Sequence, residues 1–145
     1  MEYKKNTEVL TNRENIVFSI IAEDDNRRIS AIAHKDGNKV ASIVSEVHGL
    51  DALKGEKCYE VLSVESANCP DTGTRLDIMF RLQKLFYVRL HDAGIRYFWF
   101  ESRNRHLIKF ADMLFALCRV ENSNVYYADL NRMFYHEKEL SLILP

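Results

Sequence analysis

The sequence predicts a single α/β domain built on a mixed sheet with helices against it, and three observations predict it. The first sixty-odd residues hold short β-branched runs separated by turn signals. The pattern changes period at Gly73, where apolar residues recur at helical spacing as far as His91. A further intensely apolar run then follows. A strand–helix–strand succession of this kind implies a parallel pair, while the hairpins around it imply antiparallel pairing.

The elements follow in order. The first fourteen residues are polar and read as an ordered lead-in or a loose arm. Asn15–Ala22 (NIVFSIIA) reads as a strand. Ile29–His34 and Val40–Val47 read as two more, joined through Asp36-Gly37-Asn38, a hairpin signal because these residues tolerate positive φ. Gly49–Lys57 reads as a loop and Cys58–Val64 as a strand.

In the long helix, Leu76, Met79, Phe80, Phe86, Tyr87 and Leu90 make an apolar face with one polar interruption, Gln83. Asp77, Arg81 and Lys84 mark the opposite face. Gly94 stops the helix. Ile95–Phe100 is the next strand, with Phe98, Trp99 and Phe100 read as core. Ser102 or Asn104 caps a second helix over Arg105–Arg119, with Leu107, Phe110, Ala111, Leu114, Leu117 and Cys118 on one face. Val125–Tyr127 and Leu140–Leu144 read as closing strands.

Composition narrows the function classes. One hundred and forty-five residues suit one domain. Twenty basic and twenty-one acidic side chains nearly cancel, which gives no global reason to expect nucleic acid or an anionic membrane as partner. The cysteines, Cys58, Cys69 and Cys118, are odd in number and form no CxxC pair, which disfavours a disulfide framework and suits a reducing cytoplasm. The start of the chain has no apolar leader, and no run reaches the ~18 apolar residues of a membrane span. The five histidines are scattered without HxH or HExxH spacing, so no metal site is expected.

Several segments carry a resemblance. Tyr59–Glu65 (YEVLSVE) is followed by Asn68-Cys-Pro-Asp-Thr-Gly73, where Gly73 opens the long helix. Asp92-Ala-Gly-Ile-Arg-Tyr-Phe-Trp-Phe-Glu101 forms a turn and strand, and Asn104-x-x-Leu-Ile-x-Phe110 opens the next helix. Val125-Tyr-Tyr-Ala-Asp129 and Leu140–Leu144 complete the pattern. Together these resemble the GNAT-type N-acyltransferases over the last two thirds of the chain. In the same places that family has a fourth strand, a pyrophosphate loop Arg/Gln-x-x-Gly-x-Gly/Ala, a fifth strand, an "NxxAIxFY" helix and closing strands.

The resemblance implies a GNAT-like fold, acetyl-coenzyme A as cosubstrate and an amine acceptor, small molecule or protein. It implies that Val64, Ser66, Thr72, Gly73, Thr74, Arg75 and Asn104 contact the coenzyme. Glu65 or Glu101 would take the proton of the amine, and Tyr126 or Tyr127 would give one to the leaving thiolate. The chain departs from the family at Asn68 (for Arg/Gln), at Asp71 (for the first glycine) and at Ala111 (for the tyrosine of "FY"). These departures keep an alternative open: an accessory or structural protein, of viral or mobile-element type, that retains the fold and acts through a macromolecular partner. The remaining expectations are a cytoplasmic protein, monomeric or dimeric, without nucleic-acid or membrane partner.

Overall fold

The computed structural model describes residues 5–13, 15–66, 72–113 and 115–132. Its strands are β1 (Lys5–Arg13), β2 (Ile16–Glu23), β3 (Arg28–Lys35), β4 (Asn38–Val47), β5 (Cys58–Ser66), β6 (Tyr97–Glu101), β7 (Cys118–Arg119) and β8 (Val125–Asp129). Its α-helices are α1 (Thr72–Asp92) and α2 (Arg105–Asp112). Among the described residues one eight-stranded sheet runs in the order β1-β2-β3-β4-β5-β6-β8-β7. Only the β5–β6 pair is parallel among these neighbours, and α1 connects it. The lead-in is therefore strand for residues 5–13, paired antiparallel with β2.

The turns explain the antiparallel half. Asp36 and Gly37 have φ of 51° and 81°, so a two-residue turn with both central residues left-handed closes the β3–β4 hairpin. Between β2 and β3 the chain reverses through Asp24, Asp25 and Asn26, all at positive φ, which Asp and Asn tolerate better than other side chains. The Tyr59 hydroxyl donates to the Asn26 carbonyl and ties that turn to β5.

Helix α1 ends as the glycine predicts. Gly94 sits at φ 84°, Gly94 N–H bonds the His91 carbonyl (2.9 Å) and Ile95 N–H bonds the Leu90 carbonyl (3.0 Å). Ile95 and Leu90 are both buried, the apolar contact that accompanies this motif. Ile95 thus belongs to the cap, and β6 starts two residues later than the apolar run suggests.

Helix α1 crosses β3 and β4, where the fully buried Ala31, Ala33 and Ala41 allow it to lie close. Beyond them Tyr87 stacks on Phe98 with ring centroids 4.3 Å apart, and Phe115 meets both edge-on at 4.9 and 5.0 Å. Phe98 and Phe100 therefore face the helices, and Tyr126 follows them by stacking on Phe100. Trp99 alternates to the opposite face. It is half-buried there rather than in the core, and its indole N–H donates to the His48 carbonyl at 2.8 Å.

Three helix expectations are corrected. Lys84 is fully buried rather than on the polar face, with its ammonium 3.7 Å from the centroid of the Phe80 ring one turn back. A lysine stem is long enough to fold along apolar surface in this way. Asp77 and Arg81 do form the expected i,i+4 pair, at 3.1 Å. Leu76 is exposed, because the first turn of α1 borders a cleft instead of the core.

The third correction concerns α2, which ends at Asp112, not Arg119. The Asp112 carboxylate accepts the Leu117 N–H at 3.3 Å, and Cys118–Arg119 pair with Tyr127 and Tyr126 as a strand. Phe115 still reaches the core after the helix has ended. The expected strand Leu140–Leu144 lies outside the described residues.

Candidate functional site

The β5–β6 ladder is short. Cys58, Tyr59 and Glu60 pair with Tyr97, Phe98 and Trp99, and there the pairing stops although β5 continues to Ser66. Directly beyond lies a bulge. Val44 pairs with Ser63 and Ser45 with Val61, which leaves Leu62 as an extra residue on β5. A bulge bends its strand and adds twist, so β5 and β6 part at this point.

A cleft of about 620 Å³ opens on the helix side of the parted strands. Val64 and Ser66 of β5 form one wall, and Arg75, Leu76, Met79 and Gln83 of α1 another. Asn104 and, on α2, His106, Leu107 and Lys109 close it with Met113. No carboxylate lines it among the described residues, while Arg75, Lys109 and His106 supply cationic or protonatable groups. The first turn of α1 carries no acidic side chain either. A positive helix end with arginine and lysine beside it favours an anion. Two basic residues of α2, His106 and Lys109, thus reach the cleft.

The structure brings together four of the seven expected coenzyme-binding residues: Val64, Ser66, Arg75 and Asn104 all line the cleft. Thr72, Gly73 and Thr74 form the opening residues of α1. Residues 67–71, which include Asn68, Cys69 and Asp71, lie outside the described residues, as does the side chain of Thr72. Asn104 caps α2: its Oδ1 accepts from His106 N–H (3.0 Å) and Leu107 N–H (3.2 Å), and its own N–H donates to Ser102 Oγ (3.0 Å). Both residues named as cap candidates therefore take part, with Asn104 in the capping position.

The carboxylates sit on the other face. Val64 and Ser66 face the helices, so Glu65 between them, opposite Ser42 of β4, points away. It is well exposed and pairs with Lys39 at 3.5 Å. Glu101 ends β6 on the same side as Trp99 and is exposed.

Sequence reasoning missed a third carboxylate on that face. Glu60 belongs to the last β5–β6 pair, and its Oε1 accepts from His48 Nδ1 at 2.7 Å. The other ring nitrogen of His48 lies 3.4 Å from Glu46. The one charged residue in the run CYEVLSV was the available signal; its partner is twelve residues away and only sheet pairing reveals it.

The two tyrosines divide as an alternating pair. Tyr126 packs with Phe100 on the helix side. Tyr127 lies on the opposite face beside Cys118, where burial first, then the cysteine, raise its phenol above the ordinary range. Ala111, at the family's tyrosine position, is buried and offers no proton. Among the described residues no three His, Cys, Asp or Glu side chains gather as a metal site.

No protein-family profile and no curated protein matches the chain. Solved structures do, and with the parted parallel strands they define its class: the chain has the mixed-sheet fold of the GNAT N-acyltransferases. The ribosomal-protein-S18-alanine N-acetyltransferase of Escherichia coli is similar, at 12% identity over 79% of this chain and 75% of that one, with a TM-score of 0.54. A GNAT-family acetyltransferase from Staphylococcus aureus Mu50 is similar at 14% identity over 71% and 68%, TM-score 0.51. A third, the AtaTR complex bound with acetyl-coenzyme A, is similar at 10% identity over 82% and 73%, TM-score 0.50. No helix among the described residues is long and apolar enough to cross a membrane.

Proposed function

We propose that the chain is an N-acyltransferase that takes an acyl group from a coenzyme A thioester, acetyl-coenzyme A in the first instance, and passes it to an amine. One observation carries this reading: a cleft with Arg75 and Lys109 in its walls, and no carboxylate among the described residues that line it, lies against parallel strands that part after Glu60 and Trp99. The buried amide oxygen of Gln83, with no hydrogen-bond partner among the described residues, supports the fit, because a coenzyme arm brings amide N–H groups into such a cleft. The coenzyme supplies a thioester whose acyl carbon forms a bond to the amine nitrogen while its bond to sulfur breaks.

The chain's own groups do the rest. Gly73, Thr72, Thr74 and the backbone N–H groups of the first turn of α1 would hold the diphosphate, with Arg75 adding charge. Val64 and Ser66 would line the arm, and Asn104 holds α2 against it. On the opposite face the acceptor amine loses its proton to a carboxylate. Glu60 and Glu101, at or next to the last β5–β6 pair, would take it, whereas Glu65 lies five residues farther along β5. Tyr126, on the helix side, is better placed than Tyr127 to return a proton to the departing sulfur. Holding the two reactants in register supplies much of the acceleration, and proton transfer adds to it.

The test is thermal unfolding with and without acetyl-coenzyme A. Saturation at a hundred times Kd adds about 2.7 kcal/mol of stability and raises Tm; Gly73→Glu, which places a carboxylate at the helix start, removes that shift. Absence of any acyl-coenzyme A binding at millimolar concentration would sink the reading. Buried Ala111 favours one other reading, a binding protein that retains the cleft without turnover. Coenzyme binding with no acyl transfer to any of a panel of small amines, peptides and proteins, together with a stable macromolecular partner, selects it.

A further inference from the structure

We infer that Gln83 is the group that reads the arm of the acyl donor, by accepting a hydrogen bond from an amide N–H deep in the cleft. This rests on the acyltransferase reading and goes a step past it, to a residue outside the resemblance to the family. Gln83 is only 1% exposed, yet its Oε1 has no hydrogen-bond partner among the described residues. A buried carbonyl oxygen left unpaired is costly, so such groups are normally satisfied within the fold. The residue that carries it is one of those lining the cleft.

Its position specifies the ligand's chemistry. Leu76, Met79 and Gln83 follow one another at i, i+3 and i+7 and form a single stripe of α1 along the cleft. At 1.5 Å per residue the stripe is about 10 Å long. It begins beside Arg75, runs over apolar side chains and ends on an amide acceptor. A matching ligand has an anionic head, then a largely apolar stretch, then an N–H donor about 10 Å away. A pantetheine arm, with secondary amides spaced along it, has that form, whereas a nucleotide alone stops at the head.

Gln83 is the only glutamine in the sequence, which makes the test direct. Protein labelled with ¹⁵N only in glutamine side chains gives one NH₂ pair. The titrants are coenzyme A and adenosine 3′,5′-bisphosphate, which lacks the arm, with binding followed in parallel by calorimetry. The expected result is that the pair shifts with coenzyme A and stays in place with the bisphosphate. Coenzyme A that binds by calorimetry while the pair stays in place overturns the inference and leaves the acyltransferase reading standing. Coenzyme A that does not bind overturns both.

Gln83→Met gives a second readout. It keeps the length of the side chain and removes the unpaired oxygen. Its unliganded Tm is expected to equal or exceed that of the parent, with coenzyme A bound about three- to tenfold more weakly and the bisphosphate unchanged. An unliganded Tm well below the parent's would mean that Gln83 serves the fold rather than the ligand, and would overturn the inference.

Discussion

Glu60 and Trp99 are the last residues that β5 and β6 share, and His48 bonds to both: its ring donates to the Glu60 carboxylate at 2.7 Å, and its carbonyl accepts the Trp99 indole N–H at 2.8 Å. A carboxylate is thereby fixed where the strands part, on the face away from the helices.

If Glu60 takes the amine's proton, Glu60→Gln lowers kcat about a hundredfold, the scale of one positioned base, and leaves coenzyme A affinity unchanged. Glu65→Gln, which only frees Lys39, stays within about twofold, as expected for an exposed ion pair. Steady-state kinetics on any accepted amine decide the matter. Equal losses in the two variants would remove Glu60 from this role.

Asn104 is both a wall of the cleft and the cap of an eight-residue helix. Asn104→Ala leaves the His106 and Leu107 N–H groups without their acceptor and costs about 1 kcal/mol, readable as a lower urea midpoint with an unchanged m-value.

Lys84 gives an alkaline signature. Burial lowers its amine below the ordinary lysine value in the fold, and Asp77 offsets part of that. Below the lowered value both states hold the proton and stability does not vary with pH on this account. Between the lowered and the unfolded value the unfolded chain binds more protons, so stability rises with pH. Lys84→Met removes that rise. Urea unfolding of both proteins from neutral pH to about pH 10 measures it; parallel curves would show that Lys84 keeps an ordinary amine in the fold.

What could be read in advance follows the range of the interactions. The Asp36-Gly37 turn, the Gly94 stop and the Asn104 cap are each decided within a few residues, and all three stand as the sequence implies. The Asp77–Arg81 pair is equally local. Helical period puts Lys84 on the polar face because it reports direction only, while the burial of a long flexible stem depends on what packs over it. The apolar pattern overextends the second helix because Leu117 and Cys118 fit a helical stripe as well as a turn and strand. The pairing of Cys118 with Tyr127 decides between them, and it is non-local.

In the site, the cleft residues next to the helix starts were legible because they ride on local motifs. Glu60 with His48 was not, since neither means anything until β4 lies beside β5. Gln83 was visible only as an interruption, and an interruption acquires a role once a cleft is known to pass it.

The extra residue at Leu62 gives the strand an unusual engineering property. Without it, Tyr59 and Val61 would alternate in step with Val64 and Ser66, so a one-residue deletion keeps every side chain of β5 on its present face. The deletion removes only the kink, and β5 becomes free to continue its ladder with β6 beyond Glu60 and Trp99. Such a chain should melt higher and lose its coenzyme response together. It would measure in one molecule how much regularity of the sheet has been given up to keep the two strands apart.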